Sequence, residues 1–254
     1  MKAFILLIYL ALLTGHLFAA ELTGKDIMLK VDQRAIPKDM KSRMTMNLIN
    51  KNGQVRSREV TAFRQGDKKQ IMWFLAPADI KGTSFLRVEH DNDTEDMWLY
   101  LPAFKKTRRI VSSAKKENFM GSDFTYEDMS TRKFKDYTYI RRLPDDMIAS
   151  YNCYIVESIP KEDVDITYSR IISWVWQEDN LPIIEQFYDK IGNLKKVKTL
   201  SALKKQKQYW MPGKFEMHDV QKEHKTELVF EEVKVDTGIP DAYFSTRYLR
   251  RIIK

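Results

Sequence analysis

Residues 41–76 read KSRMTMNLINKNGQVRSREVTAFRQGDKKQIMWFLA, and the period of this stretch decides the fold. Met44, Met46 and Leu48 alternate with Arg43, Thr45 and Asn47, the period of two of a half-buried strand. Lys51-Asn52-Gly53 breaks the alternation with the Asn-Gly signal of a hairpin, and 55–64 returns as the partner strand. Gly66-Asp67 turns the chain again. The run QIMWFLA at 70–76 is then apolar at consecutive positions, as a strand covered on both faces must be.

The same pattern extends outward. Strand-like segments follow at 82–88 and 96–101, with a shorter one at 107–111. They resume at 137–142, 151–159, 170–177, 183–189, 193–203, 208–220 and 225–235, the penultimate one interrupted by Met211-Pro212-Gly213. Ten or eleven strands joined by short turns predict a mostly β protein, an antiparallel meander curved into a half-barrel or a barrel. Residues 22–35 predict the one good helix: Thr23 and Asp26 have the spacing of a capping box, Ile27, Val31 and Ala35 recur at helical spacing, and Pro37 ends it. Residues 241–251 predict a terminal helical turn. Between 112 and 130 the pattern stops, and NFMGSDFTYEDM at 118–129 predicts a loop with a short helix lying over the core. With no repeat, linker or low-complexity tract, residues 21–254 are expected to form a single domain.

Residues 1–20 have the parts of a secretory signal peptide: Lys2, an apolar run from Ala3 to Gly15, and small residues at Ala19 and Ala20 before the charged Glu21. An uncleaved anchor is the alternative, although the run is short for a span of about 20 apolar residues. The residue directly after Ala20 is Glu21 and not a cysteine, so no lipid acceptor stands at the expected cleavage point near Ala20. The 43 basic and 35 acidic residues give a net charge of +8, carried as scattered pairs such as Arg141-Arg142 and Lys195-Lys196. In a secreted protein this charge meets lipid head groups and acidic proteins, so nucleic acid is not expected as a partner. Cys153 is the only cysteine, so no internal disulfide can form, and its alternation with Tyr151 and Ile155 makes it a small buried hydrophobe.

Patterns of catalysis and cofactor binding are missing from the sequence. Downstream of residue 20 the histidines are His90, His218 and His224, none at the i, i+4 spacing of a helical metal pair. His218 and His224 are expected as exposed strand-end residues. No phosphate-cradling glycine loop and no GxSxG elbow occurs. Gly121-Ser122-Asp123 is read as helix capping and Asp145-Asp146 as a solvated pair. Accordingly no enzyme activity, cofactor or metal is expected.

The five Trp, twelve Tyr, thirteen Phe and twelve Met point elsewhere. A curved single sheet has an inner face that must be covered or filled, because an open apolar face aggregates. The predicted helical cover is small, which implies a cavity under a lid. The candidate cavity and lid residues are Trp73, Phe85, Trp98, Tyr100, Phe119, Met120, Phe124 and Tyr126. Lys105, Lys106, Arg108 and Arg109 form a candidate basic mouth, suited to a phosphate or a membrane surface.

Three segments in order, PADIKGTSFL at 77–86, MWLYLPAFKKTRRI at 97–110 and NFMGSDFTYEDM at 118–129, resemble the outer-membrane lipoprotein-sorting family. More narrowly they resemble its LolA-like branch often found beside RND-type exporters. The resemblance covers essentially all of 21–254. It implies an unclosed antiparallel β-barrel with short helices capping an apolar cavity, and no catalytic residues. It also implies a periplasmic carrier that shields acyl chains of a lipoprotein or lipid between inner and outer membranes. The alternative is an accessory subunit that docks to an inner-membrane exporter and holds no cargo. This chain is longer than the best-known carrier and has extra central motifs, so the cargo is open among lipoprotein, free lipid and another amphiphile.

Overall fold

The computed structural model describes residues 21–92 and 94–251. The expected signal peptide therefore lies outside the described residues. Helix α1 (Gly24–Asp32) is followed by β1 (Asp39–Ile49), β2 (Val55–Gln65), β3 (Lys69–Ala76), β4 (Ser84–Glu89), β5 (Glu95–Leu101) and β6 (Lys106–Arg109). After a long crossing come β7 (Tyr137–Ile148), β8 (Tyr151–Pro160), β9 (Arg170–Trp176), β10 (Leu181–Tyr188) and β11 (Leu194–Ser201). The small hairpin β12 (Lys204–Gln206) and β13 (Tyr209–Met211) precedes β14 (Lys214–Asp219), β15 (His224–Val235) and helix α2 (Thr246–Leu249).

Thirteen strands make one antiparallel sheet in the order β6-β5-β4-β3-β2-β1-β15-β14-β11-β10-β9-β8-β7. Two meanders are thus zipped together where β1 pairs with β15, from Met40 opposite Val235 to Ile49 opposite Lys225. The outermost strands, β6 and β7, do not pair, so the barrel is unclosed. The β1–β2 hairpin forms as its sequence predicts: Gly53 sits at φ +76°, and the Asn50 side chain accepts from the backbone of Asn52 and Gln54.

Alternation sorts the apolar residues onto two faces. Met44, Met46, Leu48, Val60, Met72, Phe74, Phe85 and Leu99 lie on the inner face in one buried cluster. Phe63, Ile71, Trp73 and Leu86 lie on the outer face, covered by Phe244 and Leu249 of the C-terminal segment. Trp73 Nε1 donates to the Tyr248 carbonyl at 3.2 Å, which fixes that cover. This explains why β3 is apolar at consecutive positions from Ile71 to Ala76: both of its faces are covered there.

Helix α1 ends at Asp32, before the predicted Ala35: Gln33 still donates its N–H to the Leu29 carbonyl in the helical pattern, but its φ −87° and ψ 1° leave helical geometry. Its capping box is formed, with Asp26 N–H donating to Thr23 Oγ1 and Thr23 N–H to the Asp26 carboxylate. Ile27 and Met28 pack on Val156 and Val175, so the helix lies on the inner face of β8 and β9. Gly24 makes this docking possible, since a Cβ there would lie 2.6 Å from the Arg141 backbone nitrogen.

The fifteen strands of the described residues exceed the expected ten or eleven, in part because one predicted strand is divided and a further short strand forms at Lys204–Gln206. Residues 193–203 give β11 and lead into β12, and residues 208–220 give β13 and β14, with the break at Pro212-Gly213. Strand β7 runs six residues beyond the predicted 142, because an edge strand with a bulge between Arg142 and Asp146 tolerates Pro144. Cys153 is fully buried, and burial pushes its thiol up to about 11.

Candidate functional site

Residues 110–136 join the two unpaired edges of the sheet by crossing its inner face. Short 3-10 turns at Ser112–Lys116, Phe119–Gly121, Glu127–Met129 and Phe134–Asp136 are their regular structure. Phe119 is wholly buried, its ring centroid 5.1 Å from that of Phe85 and 5.6 Å from that of Tyr126. Phe124 and Tyr126 join the same inner cluster, and Met120 packs against it. Burying such side chains contributes about 1.5–3 kcal/mol each.

Polar ties add to this packing, and they are denser than a lid held by a few apolar contacts would have. Arg58 Nη1 donates to the Met120 carbonyl at 2.6 Å. The buried Asp123 carboxylate accepts from Thr226 Oγ1 at 2.7 Å and lies 2.8 Å from His224 Nδ1. Glu127 accepts from the Thr167 backbone at 2.9 Å. Asp128 meets Lys196 Nζ at 3.0 Å and the Tyr168 hydroxyl at 2.8 Å. Arg132 pairs with Glu185 at 2.7 Å, and Lys198 reaches the other Glu185 oxygen. Burial alone would raise the Glu185 carboxyl, but the two cations outweigh it and hold it at about 2. Burial raises Tyr168 well above its ordinary range, and Asp128 adds to the rise.

A cavity of about 390 Å³ remains between this crossing segment and the sheet. Phe124 lines it from the segment, and Ile171, Phe187, Phe215 and Met217 line it from the sheet. Glu89, Glu95, Lys115 and Lys133 stand in its polar wall. A second cavity, of about 200 Å³, is lined by Ile36, Met40, Leu181, Trp210, Phe230 and Val233, with Arg64 in its wall. Phe215 belongs to both walls. Cavities that bind small molecules are commonly 300–1,000 Å³ and mostly apolar with a few placed polar groups.

The eight residues expected at the cavity or lid divide between the faces. Phe85, Phe119, Met120, Phe124 and Tyr126 come together on the inner face. Trp73, Trp98 and Tyr100 do not: they belong to the outer cluster under the C-terminal segment. The reason is parity, since Trp98 pairs with Leu86 and Tyr100 with Ser84, one position out of phase with the Leu99–Phe85 pair. The four basic residues also separate. Lys105 and Lys106 are exposed at the β5–β6 tip beside Phe104, which is 69% exposed. Arg109 pairs with Asp96, and Arg108 lies close enough to Tyr126 to oppose the rise that burial gives its hydroxyl.

Residues missed in the sequence are the polar ties and Arg64. His224 is not a free strand-end histidine, and Asp123 is not a helix cap; each is the other's partner. The β14–β15 register sets His218 opposite Lys225 and His224 opposite Asp219, so the two histidines face opposite ways. Among the described residues, no three His, Cys, Asp or Glu are grouped to hold a metal, and no helix is long and apolar enough to cross a membrane.

An unclosed antiparallel sheet, a covering segment strung between its free edges and a cavity beneath that segment define the LolA class of fold. A family model described as an uncharacterized, DUF1329-like protein matches residues 66–251, and the chain belongs to that family. A DUF1329 family protein from Desulfovibrio piger is 29% identical with a TM-score of 0.82, over 89% of this chain and 97% of that one. A putative outer membrane lipoprotein-sorting protein domain from Vibrio parahaemolyticus is 30% identical with a TM-score of 0.81, over 90% and 98%. A LolA superfamily protein from Nitrosomonas europaea is 19% identical with a TM-score of 0.68, over 90% and 100%, and shares the fold. No curated protein matches the chain significantly.

Proposed function

We propose that the protein is a periplasmic carrier that shields an acyl chain in transit between membranes and performs no chemistry on it. The observation that carries this reading is the cavity of about 390 Å³ on the inner face, where Phe124, Ile171, Phe187, Phe215 and Met217 form an apolar wall opposite charged residues, bounded by the segment that bridges the open edge. Keeping one methylene from water is worth about 0.8 kcal/mol, so a sixteen-carbon chain costs about 12 kcal/mol to expose. An apolar pocket offsets that cost. Phe85, Phe119, Met120, Phe124 and Tyr126 would move or repack to lengthen the pocket, and Met120 is the most adaptable of them. The similarity to a putative lipoprotein-sorting domain supports the same reading. Exposed Phe104 between the β5 end and Lys105-Lys106 offers an apolar tip with flanking cations, suited to transient contact with an anionic membrane surface.

Mass spectrometry of an organic extract of protein purified from its native periplasm tests the proposal. A stoichiometric amphiphile is the expected result. Protein that yields none, and that binds no acyl probe afterwards, would leave the exporter-accessory alternative in its place.

A further inference from the structure

Arg64 stands in the wall of the 200 Å³ cavity, opposite Met40 on β1. Among the described residues its guanidinium has no hydrogen-bond or ion-pair partner. The nearest acid, Asp67, attracts it without bonding it, while burial and the positive charge of Arg87 both pull its pKa below the ordinary range, burial the more strongly. The strand register places Arg64, Gln70 and Arg87 in one row across β2, β3 and β4, so the two guanidiniums share the inner face. Arg87 is 2% exposed; it is paired with Glu95 at 3.1 Å, yet its Nε is buried without a partner. The other cation of this cavity, Arg34, is already neutralised by Asp179 at 3.1 Å.

Arg64 is half-buried, so its guanidinium gives up part of its hydration with no bonded protein partner to replace it. Here the charge faces a chamber whose other charged lining is Asp67, which does not bond it, and the already paired Arg34, while the rest of the wall is mostly apolar. We propose that Arg64 is the headgroup anchor for a single-chain amphiphile with a carboxylate or phosphate head, whose chain lies among Met40, Leu181, Trp210 and Phe230 and runs past Phe215. Arg is suited to both heads because its planar fork donates two parallel bonds to either. The chamber is small for several acyl chains side by side. The neutral acyl-glyceryl end of a lipoprotein would also leave the charge unanswered. The proposal rests on the carrier reading only in requiring that an amphiphile be bound, and it selects the class.

The test is titration of the delipidated full chain with dodecanoate, dodecyl phosphate, 1-dodecanol and inorganic phosphate. One or both anionic amphiphiles should bind at least about tenfold more tightly than the alcohol, the factor expected of one charge-assisted bond. Which of the two binds tells a fatty acid from a phosphorylated lipid. R64Q should reduce the anions to the level of the alcohol while leaving the alcohol unchanged, and R64K should keep part of the preference. Equal binding of acid and alcohol by the unmodified protein overturns the Arg64 site and leaves the carrier reading standing. Inorganic phosphate binding as tightly as dodecyl phosphate overturns the amphiphile and makes this a free-anion site. Absence of binding by all four removes both readings. The comparison of acid with alcohol needs no variant, so an R64Q protein that fails to fold does not block it.

Discussion

Asp123 and His224 are 101 positions apart in the chain, yet the Asp123 carboxylate lies 2.8 Å from His224 Nδ1. Asp123 belongs to the segment crossing the inner face, and His224 opens β15, the middle strand of the sheet. The contact is doubled by Thr226, whose hydroxyl donates to the carboxylate and accepts from the Asp123 backbone. Asp123→Ala should therefore cost about 2–3 kcal/mol, because it removes both the acceptor of the buried Thr226 hydroxyl and the partner of His224. Amides at 118–126 should also exchange hydrogen faster, while those of β1 keep their protection. Equal acceleration throughout would mean that the segment is no separate opening unit.

Acid should destabilise the protein through Glu185. Its carboxyl is held at about 2 in the folded chain, below the ordinary 4.5. The unfolded state binds more protons between those values, so stability rises with pH across that window and is lost as pH falls from 4.5 toward 2. The contribution is on the order of 3 kcal/mol when fully present. Denaturation by urea at a series of pH values should show this loss, and Glu185→Gln should flatten the slope. The variant should also be less stable at neutral pH by about 3–5 kcal/mol, since Arg132 and Lys198 are then left without their counter-charge. A slope unchanged in the variant would assign the acid sensitivity to another carboxylate.

Gly24 sets two effects against each other. Alanine for glycine in a helix normally stabilises by up to about 1 kcal/mol. At this position the added methyl would lie 2.6 Å from the Arg141 nitrogen and 2.8 Å from the Ile140 carbonyl carbon, both backbone atoms that cannot swing away. Overpacking of that kind costs about 1–3 kcal/mol, so Gly24→Ala should lower the midpoint of denaturation. A raised midpoint would show that α1 docks less tightly than described.

The strand order was legible because alternation and turn residues are local. Met44, Met46 and Leu48 mark the inner face of β1 by themselves, and Asn52-Gly53 marks its turn. Which face a residue takes across several strands is another matter. Trp73 and Phe85 are both apolar strand residues, and only the pairing of Met72 with Phe85 shows that they lie on opposite sides. Phe119 and Phe124 were legible as buried, since an aromatic cluster in a polar loop must pack on something. The polar ties were not legible: Asp128–Lys196 and Arg132–Glu185 join residues 68 and 53 positions apart, and no periodicity encodes such distances. Arg64 reads in the sequence as the polar phase of a strand. It stands out only once the chamber before it has a shape.

Tryptophan emission separates the inner face from the outer. Trp73 and Trp98 lie on the outer face beneath the C-terminal segment, whereas Trp210 lines the cavity that holds Arg64. Trp176 is an edge-on neighbour of Trp210 at 5.2 Å, so it should sense the same event more weakly. Saturable binding of dodecanoate should shift the emission of the unmodified protein. Trp98→Phe should keep that shift nearly whole, and Trp210→Phe should remove most of it while still binding the probe by calorimetry. Both substitutions keep an aromatic ring, which limits the packing lost. If Trp98→Phe abolishes the shift and Trp210→Phe preserves it, the chain of the amphiphile lies on the outer face. The chamber around Arg64 would then be a void in the packing, with no role in carrying cargo.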